Sequence, residues 1–185
     1  MIINLSERLL AAASLVKGGG ILADIGTDHG YLPIHLIQSG KIVKAIAADI
    51  GKMPLENARK SVVQYELADK IELRLSDGLN SFRENEVDEI VFAGMGGTLI
   101  AEKLKETPWI KNKKLHFVFQ PQSRAEELSQ FLFENGFQIH IRSDYYGKQA
   151  LQNQTARNNP PVPSAPEPIR SLQCPVTVFL SSSNC

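Results

Sequence analysis

The chain has 185 residues, about one domain by length, with 43% hydrophobic and 22% charged residues and a formal net charge of zero. These proportions are ordinary for a soluble globular protein, and the zero balance excludes whole-surface attraction to nucleic acid, so any such binding needs a local basic patch. The two cysteines, Cys174 and Cys185, both lie near the end, which excludes a disulfide framework in the body and makes a cytoplasmic location the expectation.

The first residues, MIINLSERLL, carry no basic leader and do not read as a secretory signal. Ser6 can cap a helix over residues 7–16, with Leu5 stapled onto Leu10, and KGGG then breaks it. The uncharged run 9–16 is too short to span a bilayer, and no membrane association is expected. A short apolar strand over 21–26 is followed by helical spacing over 31–38. Next come a strand over 43–49, a helix over 54–65 with Pro54 in its first turn, and a period-two strand over 70–75. A strand over 87–93 precedes a helix over 98–105 that can place Thr98, Ile100, Ala101 and Leu104 on one face. A strand over 115–120 leads to a helix over 123–135. Ser123 can cap that helix, Glu126 can complete a capping box, and Gly136 can end it. A sixth strand covers 138–142. This alternation predicts an α/β fold, a mostly parallel sheet with helices on both faces, preceded by a short N-terminal helix.

Residues 1–147 read as one folded unit and 148–185 as a Pro/Ser/Asn-rich, poorly ordered tail. All thirteen glycines precede Lys148, whereas six of the ten prolines follow it. Two readings of the tail stay open: a flexible segment, and a foreign or frame-shifted end on a truncated domain. Within it only VTVFL, 176–180, has strand character.

In an open α/β sheet, ligands bind at the carboxyl ends of the strands. Five polar or glycine-rich clusters fall at five successive strand ends: Asp24 to Gly30, Asp49, Asp77 with Gly78, AGMGG at 93–97, and QPQ at 120–122. The first loop, LADIGTDHGYL, has no Walker A pattern and lacks the third glycine of a dinucleotide fingerprint. Its carboxylates would repel a pyrophosphate at the helix start. S-adenosylmethionine removes that objection, because it has no phosphate and carries an ammonium, a sulfonium and one carboxylate. Asp24 or Asp28 can face the cations, and freed helix amides can take the carboxylate. Asp49 can accept from the ribose hydroxyls and Asp77 from the adenine amine. Blander readings stand beside these: Asp28 as a helix cap, Asp77 and Gly78 as a turn, His29 as a structural residue. No metal site is expected.

LADIGTDHGYLPIHL, SDGL, AGMGGTLI and FQPQ, together with LSERL near the start, resemble the bacterial tRNA (adenine(22)-N1)-methyltransferase family over residues 5–142. The resemblance implies a Rossmann-like class I methyltransferase fold, S-adenosylmethionine as methyl donor and N1 of a tRNA adenine as acceptor. It places cofactor contacts on Asp24, Gly26, Asp28, His29, Gly30, Asp49, Asp77, Gly78 and Ala93, and makes Gly94, Met95, Gly96 and Gly97 a wall of the target-base pocket. It also implies a further strand, antiparallel between the fifth and sixth, and then a helical C-terminal domain; neither is evident in the sequence, and unless VTVFL substitutes for the strand, the fifth strand is expected to keep an unpaired edge.

N1 carries an in-plane lone pair, so positioning and exclusion of water are the main tasks expected of such an enzyme. Tyr31 and Met95 are candidates to stack on a flipped base. Asp28 is the candidate catalytic group, able to hydrogen-bond the adenine amine, and Arg8 is a candidate phosphate contact or simply a surface arginine. Lys103, Lys105, Lys111, Lys113 and Lys114 form the best local basic segment, or a solvated helix end. Two other classes remain: a methyltransferase acting on a small molecule or protein, and a catalytically impaired remnant that only binds cofactor.

Overall fold

The structure, a computed structural model, describes residues 3–112, 115–142 and 177–181. Helix α1 (Glu7–Leu15) opens on Ser6, whose hydroxyl accepts from the Leu9 amide at 3.4 Å. Lys41 closes its other end, donating to the Ala13 and Ser14 carbonyls at 2.7 and 3.0 Å. The expected staple does not bury this helix. Leu10 is 44% exposed, and Leu5 and Leu9 pack on the core instead.

The chain continues through β1 (Ile21–Ile25), α2 (Tyr31–Gln38), β2 (Lys44–Asp49), α3 (Lys52–Gln64), β3 (Ile71–Leu75), β4 (Glu89–Ala93), α4 (Gly97–Lys105), a 3-10 turn (Pro108–Asn112), β5 (His116–Gln120), α5 (Ala125–Glu134), β6 (Gln138–Arg142) and β7 (Thr177–Ser181). The sheet order is β3-β2-β1-β4-β5-β7-β6. Strands β1 to β5 are parallel, and β7 runs antiparallel between β5 and β6, with Val178 opposite Phe119 on one side and Ile141 on the other. The strand not evident in the sequence is thus present: the VTVFL segment, shifted by one residue, is the inserted strand, and β5 is paired on both sides instead of keeping an open edge. Residues 113–114, 143–176 and 182–185, which include Lys113, Lys114, both cysteines and the Pro-rich part of the expected tail, lie outside the described residues.

Strands β4 and β5 are apolar runs because both faces of the sheet are covered. Ile90, Phe92, Phe117 and Phe119 meet Ile100 and Leu104 of α4 and Leu128 and Leu132 of α5. Val91 and Val118 face the other way, onto Ala12 and Leu15 of α1 and Leu36 of α2. Phe92 and Phe117 each stack on Phe119, at 5.7 and 5.5 Å, and burying each ring contributes roughly 2–3 kcal/mol. Two expectations fail here. Thr98 is exposed and hydrogen-bonds Glu127 rather than joining the buried face of α4. Ser123 does not cap α5: Arg124 holds that position in a left-handed conformation, φ +56°. Gly136, φ +77°, does end α5. Among the described residues, no helix is long and apolar enough to cross a membrane.

Helix α1 is held at both ends of the sheet. At the bottom, the buried Glu89 carboxylate at the start of β4 accepts from the Lys17 and Gly18 amides at 2.9 and 2.6 Å and meets His116 Nδ1 at 2.9 Å. Burial pushes this carboxyl up, but the His116, Gly18 and Lys17 donors together hold it below its ordinary value. At the top, Arg8 Nη1 donates to Gln120 Oε1 at 2.6 Å, at the end of β5.

Candidate functional site

Strand order reverses between β1 and β4, and two cavities open at their carboxyl ends. The first, about 280 Å³, is lined by Arg8, Asp24, Gly26, Asp28, Tyr31 and Gln122, among others. The second, about 400 Å³, is lined by Gly26, Asp49, Asp77, Gly78, Met95 and Lys103, among others. Gly26 borders both. It sits at φ +80°, and a Cβ there would stand 3.1 Å from Met95 Sδ. Met95 therefore folds across Gly26 and divides one cleft into two halves.

The first loop is tied down before it turns. The Gly26 and Thr27 amides both donate to the Ala48 carbonyl, at 2.8 and 3.1 Å. Asp24, at the end of β1, is 4% exposed. Thr27 Oγ1 donates to its Oδ2 at 2.7 Å. Burial pushes the Asp24 carboxyl up from 3.8 to about 6; Thr27 partly offsets this, and the like charge of Asp49 adds to it. The site thus sets a buried carboxylate within the field of a second one of like charge.

Asp28 adopts φ +45°, a conformation that aspartate tolerates better than most residues. It does not cap α2. Gly30 holds the cap position at φ +69°, with no side-chain cap bond. The Asp28 side chain is instead 67% exposed at the mouth of the first cavity, with Oδ1 3.4 Å from His29 Nδ1. The His29 ring meets Tyr31 edge-on at 5.1 Å. Pro33 has no amide hydrogen, so the free donors of the first turn of α2 are Tyr31 and Leu32.

Across the cleft, Gly94 sits at φ +91°, and a Cβ there would come within 2.8 Å of Arg8 Nη1 and 3.4 Å of Gln122 Nε2. Arg8 is therefore folded inward over Gly94 rather than displayed on the outer surface. In the other half, the Gly51 amide takes Asp49 Oδ1 at 2.7 Å. Lys103 Nζ takes Asp77 Oδ2 at 2.9 Å.

Most of the residues singled out from the sequence meet in this cleft. Arg8, Asp24, Gly26, Asp28, His29, Tyr31, Ala93 and Gly94 line the first half. Gly26, Asp49, Asp77, Gly78 and Met95 line the second. Three glycines line neither half. Gly30 turns the chain against Ala58, and Gly96 faces Ser123. Gly97 is buried where a Cβ would stand 2.1 Å from the Arg124 carbonyl oxygen, so it serves the packing of α4 on α5. Thr27 and Gln122, members of two strand-end clusters but given no role of their own, also line the cleft, and Ile50, Ser76 and Leu99 line it without having been assigned there. Lys103 also points inward, and Lys105 lies 5.4 Å over the Phe131 ring, so neither supports the expected basic segment. The Lys111 side chain and residues Lys113 and Lys114 are outside what the structure describes. Among the described residues, no three His, Cys, Asp or Glu side chains are grouped to hold a metal ion.

Residues 5–146 match the family model of a methyltransferase domain. The tRNA (adenine(22)-N(1))-methyltransferase of Bacillus subtilis is 34% identical over 137 residues, which take in 74% of this chain and 58% of that protein. The crystal structure of a putative tRNA (m1A22) methyltransferase of Streptococcus pneumoniae in complex with S-adenosyl-L-methionine is 33% identical, with a TM-score of 0.71 over 98% of this chain and 72% of that one. The B. subtilis M1A22 tRNA methyltransferase structure is 26% identical, with a TM-score of 0.74 over 98% of this chain and 67% of that one. The chain thus spans little more than half the length of the curated relative.

Proposed function

Because the chain belongs to the bacterial tRNA (adenine(22)-N1)-methyltransferase family of methyltransferase domains, we propose that it binds S-adenosylmethionine in the divided cleft and methylates N1 of an adenine in tRNA. The observation that carries this reading is the charge pattern around Gly26. Asp24, Asp28 and Arg8 line the first cavity, and Asp49 and Asp77 line the second. The cofactor has the complementary pattern: two cationic centres, one carboxylate and a nucleoside, with no phosphate. The residues present fit it.

In this reading Asp24 faces the ammonium and sulfonium, while Arg8 and the Tyr31 and Leu32 amides take the carboxylate. Asp49 keeps Oδ2 for the ribose hydroxyls, since only Oδ1 is used by Gly51. His29, Gly30, Gly78 and Ala93 shape the backbone around the ligand. The bound cofactor supplies an electrophilic methyl group. The chain's task is to hold an adenine so that its N1 lone pair points along the line of that methyl, and to keep water out. Tyr31, 39% exposed at the rim, is placed to stack on the base, with Gly94 and Met95 opposite. Asp28 is placed to accept from the adenine amine and to stabilise the positive charge that methylation leaves on the ring.

The test is incubation with methyl-labelled S-adenosylmethionine and bulk bacterial tRNA, followed by nucleoside analysis. Label in 1-methyladenosine supports the proposal. Cofactor binding without tRNA label would restrict this chain to cofactor binding or to another acceptor.

A further inference from the structure

Lys103 is the one cation that lines the second cavity among the described residues, and nothing above gives it a task. Its side chain is only 11% exposed, although its Nζ makes two ion pairs, with Asp77 Oδ2 at 2.9 Å and Glu106 Oε2 at 3.1 Å. Its aliphatic stem passes directly against Gly78. That glycine stands at φ +59°, and a Cβ on it would lie 2.7 Å from Lys103 Cδ and 2.9 Å from Cγ. The missing Cβ of Gly78 is thus what lets an α4 side chain reach the loop after β3. Asp77 is anchored by one oxygen only. Oδ1 has no partner among the described residues, and the side chain, which lines the cavity, stays 44% exposed.

We propose that Lys103 is a specificity-positioning residue, which locks Asp77 through Oδ2 so that Oδ1 presents a fixed acceptor to the purine edge of the cofactor and selects a 6-amino over a 6-oxo purine. This rests on the reading of the second cavity as the nucleoside site. A fixed carboxylate oxygen pairs with an exocyclic amine and faces an oxo group acceptor to acceptor, so it both attracts one purine and rejects the other. Free to rotate, the same carboxylate would turn to water and lose both effects. The two carboxylates around Lys103 hold its ammonium above the ordinary lysine range, Asp77 contributing most.

The experiment measures the affinities of the full chain for S-adenosylhomocysteine and S-inosylhomocysteine by calorimetry. The parent chain is expected to prefer the amino form. Lys103→Met keeps the stem and removes the charge, and it is expected to shrink that preference by about tenfold or more, mainly by weakening the amino ligand. In an Asp77→Ala background, Lys103→Met is expected to change the preference by less than about twofold, because the lysine acts through the aspartate. Glu106→Gln, outside the cavity, should leave the preference intact. An unchanged preference in Lys103→Met, or an undiminished effect in the Asp77→Ala background, overturns the inference while leaving cofactor binding standing. If the parent binds neither ligand, the cofactor reading and this inference fall together.

Discussion

Arg8 Nη1 donates to Gln120 Oε1 at 2.6 Å, joining the first helix of the chain to the end of β5 across the mouth of the cleft. This contact explains why a helix outside the alternating α/β pattern matters to the site. Glu89 pins the far end of α1 and Gln120 the near end, so the guanidinium is delivered over Gly94, into the lining of the cavity that Asp24 and Asp28 share.

Removing that guanidinium is expected to weaken S-adenosylmethionine binding about tenfold or more, the loss of one charge-assisted hydrogen bond to a carboxylate. Arg8→Ala should lose the same factor for decarboxylated S-adenosylmethionine only if Arg8 does something other than hold the carboxylate. Calorimetry with both ligands separates the two cases.

Asp24 makes the site costly to the free protein. Its folded-state value of about 6 lies above the ordinary 3.8, so the native state holds the proton more tightly than the unfolded chain does. The stability contributed by that proton is therefore full below about pH 4, declines as pH rises to about 6, and is absent above. The deficit at neutral pH approaches about 3 kcal/mol. Asp24→Asn is expected to raise the melting temperature of the free protein at pH 7.5 and to abolish S-adenosylmethionine binding. Because the cationic ligand requires the ionised form, its affinity in the parent should drop as pH falls below 6. A melting temperature unchanged by Asp24→Asn would show that the carboxylate is not strained.

Strand β7 should carry stability although it comes from the segment least like the rest of the chain. Val178 is opposite both Phe119 and Ile141, in the middle of paired strands. Val178→Pro removes a ladder donor there and is expected to cost about 3 kcal/mol, read as a shift in urea midpoint. A midpoint equal to that of the parent would place the native sheet's edge at β5.

The fold was largely legible because its signals are local and repeated. Apolar runs of strand length alternate with helical spacing, and each strand end carries a polar or glycine-rich cluster. The strand-end rule then located Asp24, Asp49 and Asp77 without tertiary information. What escaped was set by contacts across the fold. Ser123 and Glu126 have capping-box spacing, yet the chain reaches α5 through a left-handed Arg124, because the Ser123 carbonyl is taken by the Gly97 amide at 2.7 Å. Gly97 looks like a ligand-loop glycine but is required by the Arg124 carbonyl. Lys103 sits in a lysine-rich stretch and reads as surface, because nothing in the sequence shows that Gly78 leaves room for it. Arg8 reads as a phosphate contact or a surface arginine, and its bond to Gln120 could not be read because that partner lies far along the chain.

The most direct measurement is calorimetric titration of the full chain with S-adenosylmethionine, repeated with Asp28→Ala and Asp49→Ala. The account predicts saturable binding by the parent and a loss of about tenfold or more in each variant. No binding by the parent, or affinity unchanged in both variants, would contradict the assignment of the cleft.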